Sequence, residues 1–289
     1  MEIRVLKYFL AVAREENITK AAGLLHISQP SLSRQLMQME ESLGVKLFKR
    51  SKHRIILTDE GRLLRRRAQE IVALADKAEK ELSKGEDAIS GEIAIGCGET
   101  KNMAYLSQMI VSFRERYPEV TFEIYTAIAD DVKDHIENGV LDFGLMLEPV
   151  EISKYNFIRL PLGEKWCVLM RKDSPLAEKD KITPADLVGV PLMIAKRKSV
   201  RNELENWFGD YYDRLNITAT CNLSYSNRSI MVENHVGVAL VHEFENNHES
   251  LCLRPIFPEI ENKSVLVWKK NQVFSPAATK FIEWIKNAI

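Results

Sequence analysis

Leu6, Phe9, Leu10 and Ala13 recur at helical spacing near the start of the chain, which predicts an amphipathic helix ending near Glu15-Glu16-Asn17. Thr19, a good N-cap, opens a second helix through Lys20-Ala21-Ala22-Gly23-Leu24-Leu25 that stops at His26-Ile27-Ser28. A third starts with Ser28 as N-cap and Pro30 in its first turn, where a missing N–H costs nothing, and carries Leu32, Leu36 and Met39 as its apolar stripe. Two short helices joined by so tight a turn form a helix-turn-helix. After Gly44, the stretches Lys46-Leu47-Phe48-Lys49-Arg50 and Arg54-Ile55-Ile56-Leu57 read as two short strands around Ser51-Lys52-His53, a two-stranded wing.

Thr58 then caps a long helix whose first turn is acidic, Asp59-Glu60, as the helix dipole favours. Leu64, Ala68, Ile71, Ala75, Ala78 and Leu82 alternate spacings of four and three, the seam of a coiled coil. So long and narrow a stripe points to packing against the same helix of a second subunit; a helix folded back on its own C-terminal domain is the alternative. Ser83-Lys84-Gly85 to Ser90-Gly91 has the helix breakers of a hinge.

Beyond the hinge, strands alternate with amphipathic helices. Glu92 to Gly96, Val120 to Tyr125, Asp142 to Leu147, Trp166 to Met170, Leu192 to Ala195, Ile217 to Cys221 and Val238 to Val241 read as strands. Helices run up to Tyr117, through Val132 and Ile136, around Val200 to Phe208, around Ile230 to Asn234, and from Ala277 to Ala288. That alternation predicts an α/β body with mostly parallel sheets.

Charge sharpens the division. The 289 residues carry a net charge of −1, which by itself speaks against a polyanion partner. Resolved along the chain, residues 1–58 hold ten Lys/Arg against five Asp/Glu, residues 59–90 seven against eight, and residues 91–289 a net −5. A basic head on an acidic body is a pattern of nucleic-acid contact. Four bases of the wing, Lys49, Arg50, Lys52 and Arg54, would reach phosphates or a minor groove, and Arg62, Arg65, Arg66 and Arg67 follow closely. The polar side of the third helix carries Gln29, Ser31, Ser33, Arg34, Gln35 and Gln38. Gln pairs with adenine, Arg with guanine and Ser with either, so this face offers the groups that read base edges in a major groove.

Other chemistries find little support. No stretch approaches the roughly 18 apolar residues of a membrane span. The run Tyr8 to Ala13 is too short for a signal segment and is crowded by Glu2, Arg4 and Lys7. Cys97, Cys167, Cys221 and Cys252 form no C-x-x-C pair and fit a reducing cytoplasm. The six histidines include no H-E-x-x-H, Gly96-Cys97-Gly98 does not extend to a dinucleotide fingerprint, and no phosphate loop is present, so neither metal nor cofactor is expected.

The ordered run from Tyr8-Phe9-Leu10-Ala11-Val12-Ala13 through Thr19-Lys20-Ala21-Ala22, Ser28-Gln29-Pro30-Ser31-Leu32-Ser33-Arg34-Gln35, Glu40, Leu43-Gly44-Val45 and Leu47-Phe48-x-Arg50 to Leu57-Thr58-x-Glu60-Gly61 closely resembles the LysR-type bacterial transcriptional regulators. The resemblance implies an α/β protein with an N-terminal winged helix-turn-helix (residues 1–58), a long linker and dimerisation helix with its hinge (59–90), and a two-subdomain effector domain resembling periplasmic solute-binding proteins (91–289). Its first subdomain would span 91–161 and 263–289, its second 162–262. It implies base contacts at Gln29, Pro30, Ser33 and Arg34, with Ser31 a further DNA-binding residue of the same helix, and wing contacts at Arg50, Lys52, His53 and Arg54. Expected partners are double-stranded DNA with an interrupted palindromic operator, a small-molecule effector, and further copies of the chain as homodimer or homotetramer; RNA polymerase is a further candidate, a membrane is not.

Ligands of open α/β sheets bind beyond the carboxyl ends of strands, and two facing subdomains make a cleft there. On that rule the pocket residues are Gly98, Glu99, Thr100, Thr126, Ala127, Lys196, Ser199, Tyr225 and Ser226. Thr100 and Ser199 near helix N-termini favour a small organic anion. Glu99 argues against it. Effector-driven closure would then shift the angle of the DNA-binding heads. Two other readings stay open: a thiol redox regulator acting through Cys97, and an enzyme carrying a DNA-binding head with Cys97 or Glu99 as catalyst, for which no partnered nucleophile and base is visible.

Overall fold

The computed structural model describes residues 2–50, 55–82, 89–222, 225–243 and 248–288, without the side chains of Arg50, Lys77, Lys80, Glu81, Leu82 and Ala288. Lys52, His53 and Arg54, and most of the expected hinge, lie outside the described residues. The chain divides into two compact units, residues 1–86 with 138–140, and the remainder.

In the first unit α1 (Ile3–Glu15), α2 (Ile18–Leu24) and α3 (Gln29–Leu43) precede a hairpin of β1 (Phe48–Arg50) and β2 (Ile55–Leu57), followed by α4 (Asp59–Leu82). Ser28 caps α3 with Pro30 in the first turn, and Leu32, Leu36 and Met39 are its buried stripe, as the sequence pattern predicts. The cap of α2 is Asn17 rather than Thr19: its side chain accepts from the Lys20 amide at 3.0 Å. Starting the helix at Ile18 lets that residue pack against the core formed by Phe9, Ala21, Leu32 and Leu47.

Three residues tie the wing to its neighbours. The Glu40 carboxylate, near the end of α3, accepts from the amides of Leu47 (2.8 Å) and Phe48 (3.2 Å) and from Lys46 Nζ (2.8 Å). Thr58 is buried, donates its hydroxyl to Lys46 O at 2.7 Å and accepts from the Gly61 amide at 2.9 Å, capping α4. Gly61 allows α4 to pass the wing, since a Cβ there would lie 2.1 Å from Leu47 O.

The second unit holds one nine-stranded sheet shared by two lobes, with strand order β4-β3-β5-β11-β6-β9-β7-β8 and β10 beside β6. The first lobe contains β3 (Gly91–Cys97), α5 (Asn102–Arg116), β4 (Val120–Thr126), α6 (Ala129–Glu137) and β5 (Phe143–Leu147), and is closed by α9 (Pro276–Ala288). The second contains β7 (Pro191–Ala195), α7 (Lys198–Phe208), β8 (Asn216–Cys221), α8 (Tyr225–Glu233), β9 (Val238–His242) and β10 (Leu251–Pro255). Two long strands, β6 (Tyr155–Arg171) and β11 (Glu261–Lys269), run through both. Phe113, Phe143 and Phe281, all fully buried, centre the first lobe; Trp166, Leu204, Phe208 and Leu240 centre the second.

The expectation of mostly parallel sheets is corrected. β3 pairs in parallel with β4 and β5, and β7 with β8 and β9, but every pairing of β6 and β11 is antiparallel. A chain that crosses from one lobe to the other and returns must lay its two crossing strands in opposite directions.

The Glu40 contacts carry a pH dependence. Burial alone would raise the carboxyl pKa, but the hydrogen bonds from Lys46, Leu47 and Phe48 outweigh it and hold the group below its ordinary range. Its contribution to stability is therefore complete above the unfolded pKa of about 4.3 and is lost as pH falls through the lower folded value. Glu40→Ala leaves two amides without their acceptor and should cost about 1–3 kcal/mol locally. Hydrogen exchange at Leu47 and Phe48 should accelerate accordingly at pH 7, and the wild-type advantage should shrink on acidification.

Candidate nucleic-acid interface and ligand cleft

On the first unit, Gln29, Pro30, Ser31 and Arg34 are exposed at the start of α3, while Ser33 is half-buried and accepts from Gln29 Nε2 at 2.8 Å. The amide and the hydroxyl thus preorganise each other, with donors still available on the helix surface. Lys49 is exposed on β1, opposite Ile56 in the hairpin. Arg62, Arg65, Arg66 and Arg67 are exposed on the first turns of α4, with Arg62 paired to Asp59 and Arg67 to Glu70.

The seam of α4 splits in two. Ala68 is buried and Leu64 half-buried in the core of the first unit, so they are used within the chain. Ile71 is 39% exposed and Ala78 is exposed, Ala75 is half-buried, and Leu63 and Leu74, which lie off the predicted seam, are 56% and 46% exposed.

In the second unit a cavity of about 130 Å³ opens between the lobes, with a neighbouring one of about 680 Å³. Gly98, Glu99, Ala127 and Tyr225 line the smaller, and Glu99, Thr100 and Tyr225 the larger. Thr126, Lys196, Ser199 and Ser226 line neither. Thr100 is committed elsewhere: its hydroxyl donates to Glu164, a carboxylate only 1% exposed that also accepts from Ser264 at 3.1 Å.

The residues missing from the sequence reading carry most of the chemistry. Arg197 and Arg228 both line the smaller cavity. Their Nε atoms are buried and have no hydrogen-bond partner among the described residues. Arg228 otherwise donates to Leu240 O at 3.3 Å, and Arg197 reaches Asp130 of the opposite lobe at a loose 3.5 Å. Arg197 falls between Lys196 and Ser199, and Arg228 two residues beyond Ser226, so the strand-end rule reaches the neighbourhood of both without singling either out.

His242 lies at the carboxyl end of β9, another position the same rule reaches. Its ring packs against Trp166 with centroids 4.0 Å apart, and both line the smaller cavity. Asn262 fixes its tautomer. The Asn262 Nδ2 donates to Glu203 Oε1 at 2.8 Å, so its Oδ1 faces His242 Nε2 at 2.9 Å and that nitrogen carries the proton. Burial pushes the imidazole pKa down to about 4, with Arg228 adding to the effect and Asn262 opposing it. Trp166 reads from sequence only as the start of a strand, with nothing to mark it as lining the cleft.

The two buried thiols are quiet. Cys97 is 2% exposed, and burial pushes its pKa up despite a hydrogen bond with Thr126. Burial also pushes Cys167 up to about 12. These are the opposite of the shifts that activate a redox cysteine. Among the described residues no cluster of His, Cys, Asp and Glu could hold a metal, and no helix is long and apolar enough to cross a membrane.

A winged helix with a polar, exposed recognition face, on the same chain as a two-lobed unit with a cleft between the lobes, defines a ligand-responsive DNA-binding regulator. Residues 3–62 match the family described as bacterial regulatory helix-turn-helix protein, lysR family, and residues 86–289 match the LysR substrate binding domain. The chain belongs to the LysR family: it is a DNA-binding transcriptional regulator controlled by a small molecule, and not an enzyme. It is 32% identical to the Hca operon transcriptional activator HcaR of Escherichia coli K12, over 100% of this chain and 98% of that protein. It is 33% identical to the HTH-type transcriptional regulator BsdA of Bacillus subtilis, over 72% of each. Among solved structures the fold is similar to that of the LysR family transcriptional regulator CbnR, with TM-score 0.78 at 19% identity over 100% of this chain and 99% of that one. CbnR in complex with its target DNA gives TM-score 0.76 at 20% identity, with 100% of both chains covered.

The His242 environment sets a pH dependence. A folded pKa of about 4 against about 6.5 unfolded means that the unfolded chain binds the extra proton first. The stability that neutral His242 contributes is complete above pH 6.5 and declines as pH falls toward 4, by roughly 3 kcal/mol in all. Thermal melts of the full chain should therefore fall more steeply between pH 7 and 4.5 in the wild type than in His242→Gln. Parallel slopes would contradict the assignment.

Proposed function

We propose that this regulator reads an interrupted palindromic operator in cytoplasmic DNA as a homo-oligomer, and that its effector is a small organic anion held between the lobes of the second unit. The observation that carries the effector reading is the pair of cleft arginines, Arg197 and Arg228, each with a buried Nε that no described residue satisfies. A buried donor without a partner costs about 1–3 kcal/mol, and a carboxylate accepts from a guanidinium with matching geometry. Trp166, Leu145 and Met146 supply apolar wall for the rest of such a molecule.

On the DNA side, Gln29, Ser33 and Arg34 are the base readers, with Pro30 and Ser31 at the helix entry and the wing bases on phosphates. The exposure of Gln29, Pro30, Ser31 and Arg34 at the start of α3 supports this. Leu63, Ile71, Leu74 and Ala78 form the exposed apolar side of α4 and support pairing with another copy through that helix. Effector binding acts by favouring one of two states of the second unit, and α4 links that unit to the DNA-binding head.

Two experiments test the two ends. Arg34→Ala should cost about 1–3 kcal/mol on the operator and relax sequence preference, whereas Lys52→Ala should weaken operator and random duplex alike. Equal losses for Arg34→Ala on both duplexes would remove the base-reading role. For the effector, small carboxylates should raise the melting temperature of the full chain, because a ligand selective for the folded state stabilises it. Arg228→Ala should abolish that rise while leaving operator affinity without ligand intact.

A further inference from the structure

Glu99 is the residue of the cleft that an anion-binding site does not need. It lies at the end of β3, lines both cavities and is exposed within them. Its carboxylate accepts the Tyr225 amide at 2.7 Å, and among the described residues that is its one hydrogen bond. A carboxylate has about four acceptor sites, so most of its capacity faces the cleft. The other acids of the larger cavity are already engaged: Glu164 takes the hydroxyls of Thr100 and Ser264, and Glu243 pairs with Lys101 at 2.7 Å.

His242 adds a second acceptor. With its proton on Nε2, as Asn262 requires, Nδ1 is left with a lone pair, and the low pKa keeps it so at neutral pH. The lining of the smaller cavity thus combines opposite chemistries, donors on Arg197 and Arg228 and acceptors on Glu99 and His242. A purely anionic ligand would satisfy the donors and leave the Glu99 charge in the same cavity as another negative charge.

Resting on the anion reading above, we infer that the effector is a carboxylate that also bears a hydrogen-bond donor, an ammonium or hydroxyl group, with the carboxylate on Arg197 and Arg228 and the donor on Glu99. An amino acid or a hydroxy acid meets this description. The size of the smaller cavity, about 130 Å³, suits a compact head of this kind, and the adjoining space accepts a substituent.

The test uses matched trios on the full chain: propanoate, lactate and alanine, then succinate, malate and aspartate, each titrated by calorimetry. Donor-bearing members should bind at least about tenfold more tightly than the plain acid of their trio, as a charge-assisted hydrogen bond implies. Glu99→Gln should bring trio members to within about threefold of one another without weakening the plain acid, losing the ammonium member most, and Glu99→Asp should restore the order. Operator binding and melting temperature of the unliganded variants serve as the folding control. Plain acids that bind as tightly as their donor-bearing partners, or an order that survives in Glu99→Gln, would overturn this inference and leave the anion reading standing. Failure of every member of both trios to bind would overturn the two together.

Discussion

The two lobes of the C-terminal unit share β6 and β11, and the polar groups buried on these strands hold the unit together. Glu164 and Ser264 face each other near the point where the pairing register shifts between Lys263 and Val265, and Thr100 reaches in from the first lobe. Asn262, on the other side of that shift, joins His242 of β9 to Glu203 of α7. Each of these groups would be costly if left unpaired away from water, so the lobes cannot slide along the strands without breaking several bonds at once. That constraint places Trp166 and His242 against each other and gives the cleft its back wall.

The contacts at the cleft mouth are of another kind. Lys101 with Glu243, Arg197 with Asp130, and Glu99 with the Tyr225 amide all bridge the lobes, at 2.7, 3.5 and 2.7 Å. The carboxylate of each contact is exposed, so each contributes little alone and is weakened by salt. Buried bonds along the crossing strands with weaker contacts at the mouth would suit the ligand-controlled equilibrium proposed above, because a modest binding energy could then decide between two states.

Much of this was legible in the sequence, for identifiable reasons. The helix-turn-helix announced itself through caps and periodicity, since Ser28, Pro30 and the Leu32, Leu36, Met39 stripe are local signals that tertiary packing did not override. Asn17 was overlooked as a cap because Thr19 is an equally good capping type, and only the packing of Ile18 decides between them. The outer strands read well as short apolar runs. The first half of β6 did not, because residues such as Asn156, Arg159 and Glu164 interrupt the pattern where the strand passes between the lobes, and β10 contains Arg254 and Pro255. Loop ends located the cleft, but the side chains that fill it depend on which loops face each other. Arg197 lines the cavity while Lys196 and Ser199 on either side of it do not, a distinction without a sequence signature.

The orphan donors of Arg197 and Arg228 also bear on how binding becomes a signal. Two buried guanidinium N–H groups without partners among the described residues carry a cost comparable to the 1–3 kcal/mol that typically couples allosteric sites. A ligand that supplies the missing acceptors removes the penalty only in the conformation that buries them. On the anion reading proposed above, the differential affinity that shifts the equilibrium would reside in the desolvation of these two residues. Glu99 fits the same logic, because a carboxylate held at the α8 N-terminus by one amide keeps a negative charge in the cleft that a ligand lacking a donor would have to approach unfavourably.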